Sequence, residues 1–111
     1  MDPPTRLSDQ FFRVETVHDG AVTQILLCGE VDTANLPQLE DGLADIALGG
    51  NREVRFDVSD LNFMDVAALR QLTLFARHLR ESGYDVRTRG AQPLLEHLVR
   101  LTGVEGDLGL T

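Results

Sequence analysis

The side chains able to do chemistry gather in one stretch, DVSDLNFMD, residues 57–65. It brings Asp57, Asp60 and Asp65 close together just past the alternating segment EVRFDV, residues 53–58. Carboxylates at the exit of a strand stand where α/β sheets bind ligands, and oxygen ligands of this kind suit magnesium. The same spacing serves a loop and a helix cap equally well, and no metal is expected. His18, His78 and His97 make no pair with the spacing of a zinc motif such as H-E-x-x-H. Ser8, Ser59 and Ser82 have no base near them in sequence, and there is no G-x-S-x-G elbow. Neither G-x-x-x-x-G-K-[ST] nor G-x-G-x-x-G occurs. These residues make no catalytic constellation and no cofactor site, so the expectation is a protein that is not an enzyme.

The turn after Asp65 is chemically silent. Asp65 is a good helix cap, and the first turn of the helix is Val66, Ala67 and Ala68. A helix N-terminus is a ready anion site, because its first N–H groups are unpaired and the dipole is positive there. Yet this turn carries no hydroxyl. Replacing a glycine by alanine in such a turn raises helix propensity by up to about 1 kcal/mol. The helix is expected to run from Asp65 to about Ser82, with Leu69, Leu72, Phe75, Ala76 and Leu79 on its inner arc. Ala67, Gln71, Leu74 and His78 recur on the opposite ridge, which predicts an exposed Leu74 beside the silent turn.

The elements that position these residues read as ββαβαβα. Residues 11–18 alternate as a strand, Asp19-Gly20 makes a hairpin turn, and residues 21–31 form a second strand. The run ILLC, residues 25–28, is continuously apolar, as in a central strand covered on both faces. Asn35 caps a helix with Pro37 in its first turn, on which Leu36, Leu39, Leu43, Ile46 and Ala47 share a face and Gly49-Gly50 ends the run. Residues 53–58 are a strand and residues 59–64 connect it to the Asp65 helix. Residues 84–89 form an edge strand with a polar face. Pro93 opens a last helix with Leu94, Leu98 and Leu101 on one face and Gly103 as its stop, and the tail is Gly-rich and weakly patterned. Strands that return through helices should be parallel, with right-handed crossovers.

The 111 residues suffice for one domain, with a loose proline-bearing lead-in over residues 1–10 and a single domain over 11–111. Cys28 is the lone cysteine, so no internal disulfide or Cys-based zinc site can form, and a buried, inert thiol is expected. The net charge of −8 argues against nucleic acid and anionic membranes as partners and fits either a partner with a basic face or mere solubility. All ten cations are Arg. The first residues lack the apolar core of a signal peptide, no apolar run is long enough to span a bilayer, and a cytoplasmic location is expected.

The turn GEVD at residues 29–32, the segment DVSDLNFMD running into a helix, the Pro37 helix between them and the closing LTGV at 101–104 together resemble the STAS domain of anti-sigma factor antagonists. The resemblance covers roughly residues 12 to 108. It implies an α/β (α+β) fold with one mixed sheet of about four strands and helices mainly on one face. It also implies a non-enzymatic module that binds an anti-sigma factor of histidine-kinase-like ATPase fold and thereby frees a sigma factor. In that family the residues after the matching Asp are commonly Ser-Ser-Gly or Ser-Thr-Gly, and the second hydroxyl is phosphorylated. Here that position is Ala67, with Val66 and Ala68 on either side, so the acceptor is lost. The implied partner surface comprises Glu30, Asp32, Asp60, Asp65, Ala67, Gln71 and Leu74. Thr33 and Ser59, the hydroxyls on the loops at this edge, are the alternative acceptors; a cap and a turn hydrogen bond account for them more simply. STAS-like domains also include accessory subunits of transporter ATPases, scaffolds of stress-signalling assemblies and nucleotide binders. An acidic edge without Lys or a Gly-rich loop is a poor phosphate cradle. The oligomeric state is left open.

Overall fold

The computed structural model describes residues 12–110. The lead-in expected over residues 1–10, and Phe11 at the head of the first strand, lie outside them. Strand β1 (Phe12–Asp19) turns at Gly20 and pairs antiparallel with β2 (Val22–Val31). A short 3-10 turn (Thr33–Asn35) leads into helix α1 (Leu36–Ala44). Then come β3 (Glu53–Asp57), β4 (Leu61–Met64), α2 (Val66–Glu81), β5 (Asp85–Arg89), α3 (Pro93–Thr102) and a last turn of helix, α4 (Glu105–Leu108). The sheet runs β1-β2-β3-β5, with every pairing after the hairpin parallel.

The segment expected to be a plain connection, residues 59–64, contains a fifth strand. β2 is long enough to pair twice on the same side: Val22–Leu26 against β3, then Gly29–Val31 against β4. Within the second stretch the register shifts between Gly29 and Glu30, and Gly29 has a φ of 101° that only glycine adopts readily. The Gly29 N–H donates to the Asp60 carbonyl at 2.9 Å. This arrangement carries the chain from β3, through a tight turn at Ser59–Asp60, into β4 and straight to the cap of α2.

A single hydrophobic cluster fills one face of the sheet. Ile25, Leu27, Val54, Phe56 and Val86 come from the strands. Leu39, Leu43, Leu69, Leu72, Ala76, Leu79, Val99 and Leu108 come from the helices, so all four helices contribute to the same side. Phe56 and Phe75 meet edge-on at 6.3 Å. The inner arc of α2 falls where its periodicity places it; Phe75 is half-buried, and Ala68 and Thr73 join the buried side, Thr73 by donating its hydroxyl to the Leu69 carbonyl at 2.8 Å.

Among the described residues no helix packs on the other face of the sheet, which corrects the reading of residues 25–28 as covered on both sides. Leu26 is half-buried there. Its surroundings are ion pairs: Arg13 with Glu15, Arg55 with Glu53, Arg87 with Asp85 and Arg89 with Asp57. Three of these pairs are two residues apart on one strand, the spacing that puts side chains on a common face. Cys28 is buried and reduced, and burial pushes its thiol pKa up, which leaves it unreactive.

One helix differs from its expected extent and another in its facing. α1 stops at Ala44 rather than near Ala47, because the chain tightens there, Ile46 N–H reaching the Leu43 carbonyl at 3.3 Å. Ile46 and Leu48 still pack on the core from the extended segment beyond the helix. In α3 the expected face splits: Leu94 and Leu101 are each 70% exposed, Leu98 is half-buried against the core, and Val99 is the residue buried. The expected stop at Gly103 holds, in the left-handed conformation. The tail is better ordered than its composition implies. Arg80 donates to the carbonyls of Asp107 and Val86, and Thr88 donates its hydroxyl to the Leu108 carbonyl at 2.7 Å, fastening α4 beside β5.

Candidate functional site

The parallel strands deliver three loops to one edge of the sheet: residues 30–35 after β2, residues 58–60 after β3 and residue 65 after β4. The first is a local structure built by short polar side chains. The Asp32 carboxylate accepts the Ala34 N–H at 2.9 Å, Asn35 Oδ1 accepts the Asp32 N–H at 2.8 Å, and the Asn35 amide donates to the Glu30 carbonyl at 3.0 Å. The side chain of Asn35, the expected cap of α1, instead braces the preceding loop and makes no cap bond to that helix.

Asp65 joins the first loop to α2. One carboxylate oxygen accepts the Ala68 N–H at 2.9 Å, as an N-cap should. The other accepts both the N–H and the hydroxyl of Thr33, at 3.0 and 3.2 Å. One side chain therefore caps the helix and sets its first turn against the 30–35 loop. Ala68 is fully buried by this closure, Ala67 is partly exposed and Val66 is 52% exposed. Leu74 is 49% exposed on the same helix, Gln71 reaches Glu40 on α1 at 3.1 Å, and His78 is exposed. Glu30, Asp32 and Asp60 are exposed at the same edge.

Of the three aspartates that suggest a cation, two are separately employed. Asp57 accepts the Ser59 hydroxyl at 2.5 Å and the Ser59 N–H at 3.0 Å, and stands 3.6 Å from Arg89. Burial works to raise the Asp57 pKa, but those two bonds and the charges of Arg89 and Arg55 outweigh it, and the carboxyl lies below its ordinary 3.8. Asp65 is committed to the cap, which leaves of the three only the Asp60 carboxylate, exposed at the turn whose backbone carbonyl accepts from Gly29. Among the described residues no group of three or more His, Cys, Asp or Glu side chains is placed to hold a metal ion. Both hydroxyls expected as alternative acceptors, on Thr33 and Ser59, are held by carboxylates.

A family model described as Mlab, STAS domain matches residues 14–111. The chain belongs to the STAS domain family. Several solved structures share this STAS fold. An anti-sigma factor antagonist from Mycobacterium paratuberculosis superposes with a TM-score of 0.73 at 22% identity, over 89% of this chain and 84% of that one. A STAS-domain antisigma-factor antagonist from Rhodobacter sphaeroides gives 0.61 at 21%, over 74% and 89%. SpoIIAA, the Bacillus cell fate determinant in its phosphorylated form, gives 0.60 at 20%, over 90% and 88%. No curated protein sequence matches the chain. No helix among the described residues of this STAS domain is long and apolar enough to cross a membrane.

One feature of this edge is missing from the sequence reading. Phe63, Val66, Leu94 and Leu101 are exposed and line a common groove between α3 and the segment Leu61–Val66. The signal is present in α3, where Leu95 and Val99 repeat at i, i+4 alongside Leu94, Leu98 and Leu101. That is more apolar surface than one buried stripe uses.

Proposed function

We propose that this STAS domain is a non-enzymatic protein-binding module of the anti-sigma factor antagonist kind, which engages an anti-sigma factor of kinase-like ATPase fold through the Asp65 edge and lacks the hydroxyl switch. The observation that carries the reading is the double use of Asp65. It holds the first turn of α2 and the 30–35 loop as one rigid surface, from which Glu30, Asp32, Asp60, Ala67, Gln71 and Leu74 can face a partner. The acidic edge suits a basic partner face. With Val66, Ala67 and Ala68 in the first turn, no phosphate can be placed there, so the module is permanently competent and is controlled by its amount or by another modification.

The test is affinity capture with the intact chain as bait, then identification of the retained protein. A small ATP-binding protein of kinase-like fold, lost when Leu74→Arg is the bait, supports the reading. Retention of a transporter ATPase instead would place the chain among the accessory subunits and refute it.

A further inference from the structure

The exposed large apolar side chains are concentrated. Among the described residues they are Val17, Phe63, Val66, Leu74, Leu94 and Leu101, and all but Val17 border two adjoining grooves that share Val66. The larger, of about 590 Å³, lies between α3 and Leu61–Val66. Leu94 and Leu101 stand two turns apart along its helical wall, each 70% exposed, and Phe63 and Val66 face them from the strand side. Contiguous apolar surface of this kind marks a binding site more often than single exposed residues do.

The lining says what the groove does not take. Two of its four polar side chains are spent internally: Asp65 on Ala68 and Thr33, Gln92 on the carbonyls of Ser59 and Leu61. That leaves the exposed Asn62 and His97, set in a mostly apolar lining, to orient a small polar ligand. Addition of a strand along β4 is blocked as well. Asn62 is an extra residue in the ladder between Leu61 and Phe63, and Gln92 occupies the Leu61 carbonyl. What remains is recognition by side-chain packing, the mode of a helix lying in a groove.

Charge selects among such helices. Asp65 lines the groove, Glu30 registers against Phe63, and Asp60 directly precedes Leu61. No Arg or Lys lines it, and Arg100, next to Leu101, is already paired with Glu96 and Glu105. A second copy of a chain with net charge −8 would bring two acidic rims together. We propose that the groove between α3 and Leu61–Val66 receives an amphipathic helix of another protein, with apolar anchors at i, i+4 and i+7 and Lys or Arg on its flanks. This goes beyond the proposed function, since it specifies the chemistry of the occupant and does not depend on the partner's being an ATPase.

The experiment is a titration of the isotope-labelled chain, monitored by amide chemical shifts. Two synthetic helix-forming peptides of about five turns are used, one of Leu and Lys and one of Leu and Glu. The Leu/Lys peptide should move the amides of Phe63, Val66, Leu94, Leu98 and Leu101, and bind more weakly as salt rises. The variant Leu94→Gln/Leu101→Gln should melt like the parent, because both side chains are exposed, and lose affinity for the peptide by at least about tenfold. Equal binding of the Leu/Glu peptide, shifts confined to other surfaces, or an unchanged affinity of the double variant would each overturn the proposal. So would the same amides moving on dilution of the chain alone, which marks self-association, or moving only with phosphatidylcholine vesicles.

Discussion

At the scale of single residues, Asp65 ties two parts of the structure together. Removing an N-cap costs about 0.5–2 kcal/mol. Asp65→Ala also strands the Thr33 N–H and hydroxyl, so its loss in urea unfolding should exceed that of Thr33→Ala, which removes one bond. Asp57 makes a pH-dependent contribution. Its folded pKa lies below the ordinary 3.8, chiefly because the hydrogen bonds from Ser59 overcome burial. The stability it supplies is therefore complete above that ordinary value and disappears as pH falls through the lower folded value. Ser59→Ala should raise the Asp57 pKa and shrink the acid-side loss, visible in melts from pH 6 downward; an unchanged acid limb would contradict the assignment. The role of Asp65 as a cap is legible in the sequence, because cap chemistry is local. Its bond to Thr33 is not, because the two residues are brought together only by the parallel pairing of β2 with β4.

Among the elements, α2 separates core from surface most sharply. Leu72 is 1% exposed and Leu74 49%. Leu72→Ala should cost about 2–5 kcal/mol, and Leu74→Ala less than about 0.5 kcal/mol. Equal losses in chemical denaturation would mean that the helical phase is wrong. Helix α1 lies close on β1 because Gly42 has no side chain: a Cβ there would sit 2.6 Å from Val14 Cγ2. Gly42→Ala should therefore destabilise the fold despite its better helix propensity, whereas Gly42→Ala with Val14→Ala should recover part of the loss. Periodicity reveals α2 in full, since sixteen residues sample the pattern several times. β4 escapes it: four residues with only the outer two, Leu61 and Met64, buried show no alternation. Arg80, which reads as a surface charge, is a tie between α2 and the tail, so the tail's order is equally invisible in the sequence.

The whole molecule is one-sided. Helices and core occupy one face of the sheet, and exposed ion pairs cover the other; such pairs each contribute about 0–1 kcal/mol, so their role is solubility more than stability. Strict alternation along β3 and β5 announces this, while the apolar run in β2 conceals it. The fold and the acidic edge can be read from the sequence because both arise from pattern and motif. The outward face of α3 cannot, because periodicity gives a stripe without saying which way it points. The proposed binding edge is tested by placing a charge at its centre. Ala67→Glu puts a carboxylate in the first turn of α2, where the dipole favours it by roughly 0.3–1 kcal/mol, so folding should be unaffected. In the complex that carboxylate would be desolvated without an arranged cation, and affinity should fall by about 2 kcal/mol, roughly thirtyfold. Val17→Glu, at an exposed apolar position of β1 away from this edge, is the control. The decisive measurement is a calorimetric titration of both variants and the parent against the partner retained by affinity capture: a thirtyfold loss for Ala67→Glu alone is the predicted result, and parental affinity for Ala67→Glu would show that this edge is not the partner's contact surface.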